Sequence, residues 1–157
     1  MGERVDKLVA RLDKGGRKTA EILGNLSDGH WRMALYEGPP TWTVRDLLAH
    51  FLSAEEGLLH TAQDIAAGGP GVPEGFDYDQ FNAGEQSRLA GLPPDGLLAD
   101  LATARGLTIA WVAGLDEADL DRLGRHPALG EITLEMFINA IYGHQLMHMR
   151  DLQRLLA

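Results

Sequence analysis

The last stretch of the chain, Thr133 to Leu156, keeps a helical rhythm while changing the chemistry of its inward face. Leu134, Phe137, Ile141, His144, His148, Leu152 and Leu155 follow one another in steps of three or four, the spacing of one face of an α-helix. Two histidines stand in that stripe where leucine would ordinarily be. Four residues apart, their Cα atoms lie about 40° apart around the axis and one turn apart along it, so both rings can converge on one point. A buried neutral imidazole needs a partner for each ring nitrogen. A divalent metal satisfies two such rings at once, with zinc–nitrogen bonds near 2.0–2.1 Å; hydrogen bonds to Asp or Gln are the plainer alternative.

Three further segments carry helical stripes that this one could pack against. Residues 4–26 place Val5, Leu8, Leu12, Thr19, Ile22, Leu23 and Leu26 on one face, interrupted by Gly15-Gly16. The glycine pair costs about 2 kcal/mol against alanine, yet the stripe resumes in phase, so the spacing predicts one helix with a bend. The second helix starts at Thr43, a good N-cap with Asp46 in the capping-box position, and runs to about Ala67. Its apolar face is Val44, Leu47, Phe51, Ala54, Leu58 and Ile65, with His50 about 60° off centre. The third helix, about 94–114, opens on Pro93-Pro94 and carries Leu97, Leu98, Leu101, Leu107 or Thr108, Trp111, Val112 and Leu115. Between the second and third lies a glycine- and proline-rich crossover, 68–92, with a short helix over Gln80–Ala90. Phe76, Tyr78 and Phe81 would anchor it, and long loops in compact domains often cover binding sites. A short helix at Asp116–Leu123 and a turn or small extended segment at Gly124–Ile132 complete the chain, with no convincing strand and no repeat. Four amphipathic helices bury their stripes by packing as a bundle, here over one domain, residues 1–157.

Composition narrows the functional classes. The chain has 157 residues, 45% hydrophobic and 24% charged, with net charge −9 and no cysteine. That balance suits a folded domain. The acidity, with no Lys/Arg cluster recognised, argues against nucleic acid as a partner. The absence of cysteine excludes disulfides, thiolate ligands and a cysteine nucleophile. Met1 to Gly15 lacks the apolar core of a signal peptide, and no apolar run approaches a membrane span. A cytoplasmic location without membrane contact is expected.

Of the remaining histidines, His30, His60 and His126 read as ordinary core or surface groups. His50 is the best-placed third ligand; Asp46, Glu55, Glu56 and Asp151 are acidic alternatives, and Asp151 could instead support His148 from behind. The His144-Gln145-Leu146-Met147-His148 sequence differs from the zinc-protease HExxH pattern at its general base. Gln145 cannot take a proton, so that protease chemistry is excluded.

Trp42-Thr43-Val44-Arg45-Asp46-Leu47-Leu48-Ala49-His50 resembles the "WSxxxLLxH" opening of the second helix in the DinB-like family. His144-x-x-x-His148 followed by Asp151-Leu152 is similar to that family's last helix, and the 94 residues between His50 and His144 fit. Phe81-Asn82 and Gly84-Glu85 resemble the branch near the mycothiol-linked maleylpyruvate-isomerase-type proteins; bacillithiol-transferase-type proteins form another branch. The resemblance implies an all-α, four-helix bundle of DinB/YfiT-like type, up-down-down-up, with a long crossover after the second helix. It implies one divalent metal on His50, His144 and His148 and a homodimer. Zinc or nickel are the favoured ions, iron or manganese the others. The implied chemistry is a thiol S-transferase or isomerase using a low-molecular-weight thiol such as bacillithiol, mycothiol or glutathione, or hydrolysis if water takes the thiol's place. Where some members carry Glu after the first histidine of the pair, this chain has Gln145.

Three readings follow: a metal-dependent enzyme acting on a small molecule, a metal- or ligand-holding bundle without turnover, and a structural bundle with hydrogen-bonded histidines. The inward position of His144 and His148 argues against the last. Trp31, Trp42, Phe76 and Tyr78 are candidate walls of the substrate groove, and no residue stands out as an acid or base.

Overall fold

The computed structural model describes residues 2–157. Four long helices carry the stripes read from the sequence: α1 (Glu3–Gly24), α3 (Val44–Ala66), α5 (Pro94–Ala113) and α6 (Leu134–Leu156). Short helices α2 (Asp28–Trp31) and α4 (Tyr78–Arg88) lie in the connections, with a 3-10 turn at Glu117–Asp121. Local chemistry sets the starts. Thr43 accepts from the Asp46 amide while Asp46 accepts from the Thr43 amide, closing a capping box on α3. Thr133 accepts from the Met136 amide at the start of α6, and Asp77 from that of Gln80 at the start of α4.

Two apolar clusters fix the helix directions. One joins Leu23 at the end of α1, Leu47 and Leu48 at the start of α3, Leu97 at the start of α5 and Leu152 at the end of α6. The other joins Val5 and Leu8 with Ala62 and Ile65, Val112, Leu134 and Phe137, which are the opposite ends of the same helices. So α1 and α6 run one way and α3 and α5 the other, the up-down-down-up order. Parallel neighbours α3 and α5 need a connection that spans the bundle, which is why the 67–93 crossover is long. Each fully buried Leu, Ile or Phe in these clusters contributes roughly 1.5–3 kcal/mol of transfer free energy.

A buried polar layer lies between the clusters, which the stripes did not foretell. Arg105 of α5 donates to Glu55 of α3 through Nε (3.0 Å) and Nη2 (2.8 Å), to the Leu12 carbonyl of α1 (3.0 Å) and to Gln145 Oε1 of α6 (3.4 Å). Thr19 donates to the same Gln145 oxygen at 3.1 Å. The layer thus touches all four helices. It also accounts for Gly15-Gly16. A Cβ on Gly16 would sit 3.0 Å from the Arg105 side chain, and one on Gly15 2.9 Å from the Tyr142 ring. The pair lets α5 and α6 approach α1, and α1 remains one continuous helix through it.

Four strands correct the expectation of none. β1 (Ala34–Tyr36) pairs antiparallel with β2 (Trp42–Thr43), and β3 (Leu123–His126) with β4 (Gly130–Thr133). Segments this short carry too few alternations to register as strands in sequence. Among the described residues, α5 is the one helix long and apolar enough to cross a membrane, but its Leu97, Leu101, Ala104, Thr108 and Val112 are buried in the bundle.

The crossover is held to the second hairpin by main-chain bonds: Val72 N to Arg125 O (3.1 Å) and Arg125 N to Pro70 O (2.8 Å). Gly71, at φ +85°, makes the meeting possible, since a Cβ there would fall 2.5 Å from the Arg125 carbonyl oxygen. Asp64 at the end of α3 accepts from the Gly71 amide at 3.0 Å.

Candidate metal centre

α3 and α6 deliver three imidazoles to one point. The Nε2 atoms of His50 and His144 lie 3.0 Å apart, and those of His144 and His148 3.2 Å apart. The three rings meet nearly edge to face. Among the described residues this is the one group of three or more His, Asp, Glu or Cys side chains placed to share an ion.

Depth differs from the sequence expectation. On α6 the fully inward line is Ile138, Ile141, Gln145, Met149 and Leu152, so the core position belongs to Gln145. His144 and His148 flank that line, half-buried, and face a groove. His50, read as a shoulder residue, is the most buried of the three at 7% exposure. An apolar stripe criterion skips Gln145 because it is polar, and so shifts the inferred face toward the histidines.

Burial shapes the electrostatics. The His50 ring is pushed down to about 3 by burial first and then by its two neighbouring imidazoles. That of His144 falls to about 4 through burial first and then through the imidazoles of His148 and His126, and burial lowers His148 against the opposing pull of Asp151. All three rings are therefore neutral at pH 7.

Behind His148 stands a pair of groups, one of which the sequence did not mark. Tyr36 Oη lies 2.7 Å from His148 Nδ1 and 2.5 Å from Asp151 Oδ2. Burial and then Asp151 raise the phenol, so Tyr36 keeps its proton. The phenol O–H donates a hydrogen bond to Asp151, and its oxygen accepts from His148 Nδ1–H. The His148 Nε2 lone pair is then directed at the other two rings. Nitrogens around a tetrahedral ion at 2.0–2.1 Å stand about 3.3 Å apart, so the donor set fits a divalent cation, whereas lone pairs facing each other without one repel. His50 Nδ1 is buried with no hydrogen-bond partner.

None of the acidic alternatives joins the cluster. Asp46 caps α3, Glu55 pairs with Arg105, Glu56 meets Arg88 and Asp151 supports Tyr36. Gln145 points into the polar layer, away from the groove, so the Glu-to-Gln difference does not remove a base from this centre. His30 closes a capping box with Ser27, and His126 Nδ1 accepts from the amides of Ala128 and Leu129. His60 is exposed at the groove and His126 also lines it, a placement the sequence did not show.

The cluster forms one wall of a groove of about 1060 Å³ between α3, α6, the crossover and the turn of the second hairpin. Trp42, Phe76 and Tyr78 line it as expected; Trp31 is buried in the core instead. The Trp42 ring centre lies 5.0 Å from that of His50. The crossover supplies Pro70–Pro73, Phe76, Tyr78, Phe81 and Asn82 to the groove, so it forms part of the groove wall.

A sequence model of the DinB superfamily matches residues 11–152. The chain belongs to the DinB superfamily. Three solved structures share the fold of this DinB-superfamily chain. YfiT from Bacillus subtilis, described as a probable metal-dependent hydrolase with an unusual four-helix bundle topology, is 20% identical with a TM-score of 0.78, over 99% of this chain and 87% of that one. A mycothiol-dependent maleylpyruvate isomerase is 15% identical with a TM-score of 0.74, over 97% of this chain and 63% of that longer one. The colibactin self-resistance protein ClbS, in complex with a double-stranded DNA, is 17% identical with a TM-score of 0.69, over 98% and 97%. Among curated protein sequences, none matches.

The ClbS complex overturns the exclusion of nucleic acid drawn from net charge. Net charge is a sum over the molecule, whereas a duplex meets one surface. Here Arg4, Lys7, Arg11, Lys14 and Lys18 follow the 3-4 spacing of one face of α1, a clustering that the −9 total conceals. Several are engaged locally: Arg4 by Asp121 and Glu135, Lys7 by Glu3 and Arg11 by Asn139.

Proposed function

We propose that this protein is a metal-dependent enzyme in which His50, His144 and His148 hold one divalent ion, zinc or nickel, that activates a low-molecular-weight thiol or water. The observation that supports this most is the convergence of three neutral Nε2 atoms on a groove wall. Neutral imidazoles leave the ion its full charge, and such an ion lowers the pKa of a thiol or water and supplies a nucleophile at neutral pH. The chain's own groups do the rest. Tyr36 and Asp151 hold the proton on His148 Nδ1, Trp42 packs beside His50, and the apolar groove excludes water around the reacting atoms. Attack of the thiolate on an electrophilic carbon, with a new C–S bond replacing the bond to the leaving group and the thiol proton passing to solvent, would be the thiol-transferase outcome; water in the same place would give hydrolysis.

A second reading, a ligand-holding bundle without turnover, is favoured by the engagement of nearby carboxylates. Asp151 is held by Tyr36 and Asp64 accepts from the Gly71 amide, and among the described residues the cluster itself contains no carboxylate. One assay separates the two. Protein loaded with zinc or nickel is given a thiol and 1-chloro-2,4-dinitrobenzene, and thiol loss is followed with and without chelator. The enzyme reading predicts metal-dependent loss that His50→Ala abolishes. Tight thiol binding with no metal-dependent loss across an electrophile panel would support the binding module.

A further inference from the structure

The groove carries a charge pattern that selects among thiols and electrophiles. Of the chain's 14 Lys and Arg residues, none lines it. Its one carboxylate is Asp64. Beyond the metal-centre histidines the remaining walls are mainly apolar, including Leu58, Val72, Phe81 and Met147, with Thr61, Asn82, Tyr78, His60 and His126 as polar side chains. Arg125, the nearest cation in sequence to the hairpin turn, donates to the Val72 carbonyl (3.1 Å) and belongs to the stitching of the crossover.

We infer that the groove takes molecules with a single metal-seeking head and an uncharged, apolar body, and discriminates against bodies bearing a carboxylate. The inference rests on the metal-centre reading above, because the head needs the ion. A carboxylate placed further along the groove loses its hydration and finds no ammonium or guanidinium to replace it. It also meets Asp64, a like charge. A neutral aryl or alkyl body loses only apolar surface to water, which is favourable. Leu129, 59% exposed, and Met147, 52% exposed, extend the apolar lining to the groove mouth.

The test uses two thiols of one shape: methyl 4-(mercaptomethyl)benzoate, which is neutral, and 4-(mercaptomethyl)benzoate, which is anionic. Each is titrated into protein loaded with cobalt(II), and binding is read from the thiolate-to-cobalt absorption in the near ultraviolet. The ester binds at least about tenfold more tightly than the acid, the size expected for one uncompensated carboxylate. In Leu129→Lys, which adds a cation at the exposed mouth, the acid gains about threefold and the ester does not. Equal or tighter binding of the acid by the wild-type protein overturns the selectivity while leaving the metal centre in place. Absence of the absorption with both thiols overturns the metal–thiol reading itself, and the selectivity with it.

Discussion

Tyr36 Oη lies 2.7 Å from His148 Nδ1 and 2.5 Å from Asp151 Oδ2, joining the first ribbon to the last helix behind the histidine cluster. Without the phenol oxygen, His148 Nδ1–H loses its acceptor and the ring is free to turn or to carry its proton on Nε2. Partners of this kind are worth about 10- to 100-fold in metal affinity. Tyr36→Phe should therefore weaken binding by that factor, read by competition with a chromophoric chelator, while leaving the helical circular dichroism spectrum unchanged. Unaltered affinity would mean that Tyr36 does not position His148.

The lowered pKa values of His50 and His144 set how metal-free protein responds to acid. In the unfolded chain these rings titrate near 6.5; in the folded protein, at about 3 and about 4. Between pH 6.5 and about 4 the unfolded state binds more protons, so stability falls as pH falls through that window. Urea midpoints of the metal-free protein should drop from pH 7.5 to pH 5, and the drop should shrink in His50→Phe. A midpoint insensitive to pH over this range would show that the rings are not held neutral.

Arg105 and Glu55, 5% and 3% exposed, form the centre of the polar layer. Removing one partner leaves a buried charge without its mate, and Glu55→Leu should cost about 3–5 kcal/mol in urea denaturation. The double variant Glu55→Leu with Arg105→Met should recover much of that loss. Additive losses would indicate that the pair is not coupled.

Gly71 ties the crossover to the hairpin at a backbone angle that disfavours a side chain. Gly71→Ala should loosen that junction at a cost of about 1–3 kcal/mol. Hydrogen exchange should rise at the Val72 and Arg125 amides, whose bonds form the junction, more than in α1. Unchanged protection at both amides would contradict this role.

The four long helices and the capping box at Thr43 were legible because stripes and caps are local signals. The meeting of His50 with His144 and His148 was reachable through placement on the helices, with the family resemblance implying the same three residues. Tyr36 was not, since its role depends on a three-residue strand whose pairing no periodicity announces. Arg105 and Glu55 were hidden for the opposite reason: charged residues on a helix ordinarily read as solvent-facing, and only the packing of four helices shows them buried. Gln145 reads in the sequence only as a missing base, yet its neighbours make it a core residue.

The central claim is that His50, His144 and His148 hold one divalent ion. Elemental analysis of tag-free wild-type protein beside His148→Ala, after reconstitution with zinc or nickel and desalting, tests it most directly. The account predicts about one ion per chain in the wild type and essentially none in the variant, with His60→Ala retaining the wild-type content. No ion in the wild type, or full occupancy in His148→Ala, would contradict it.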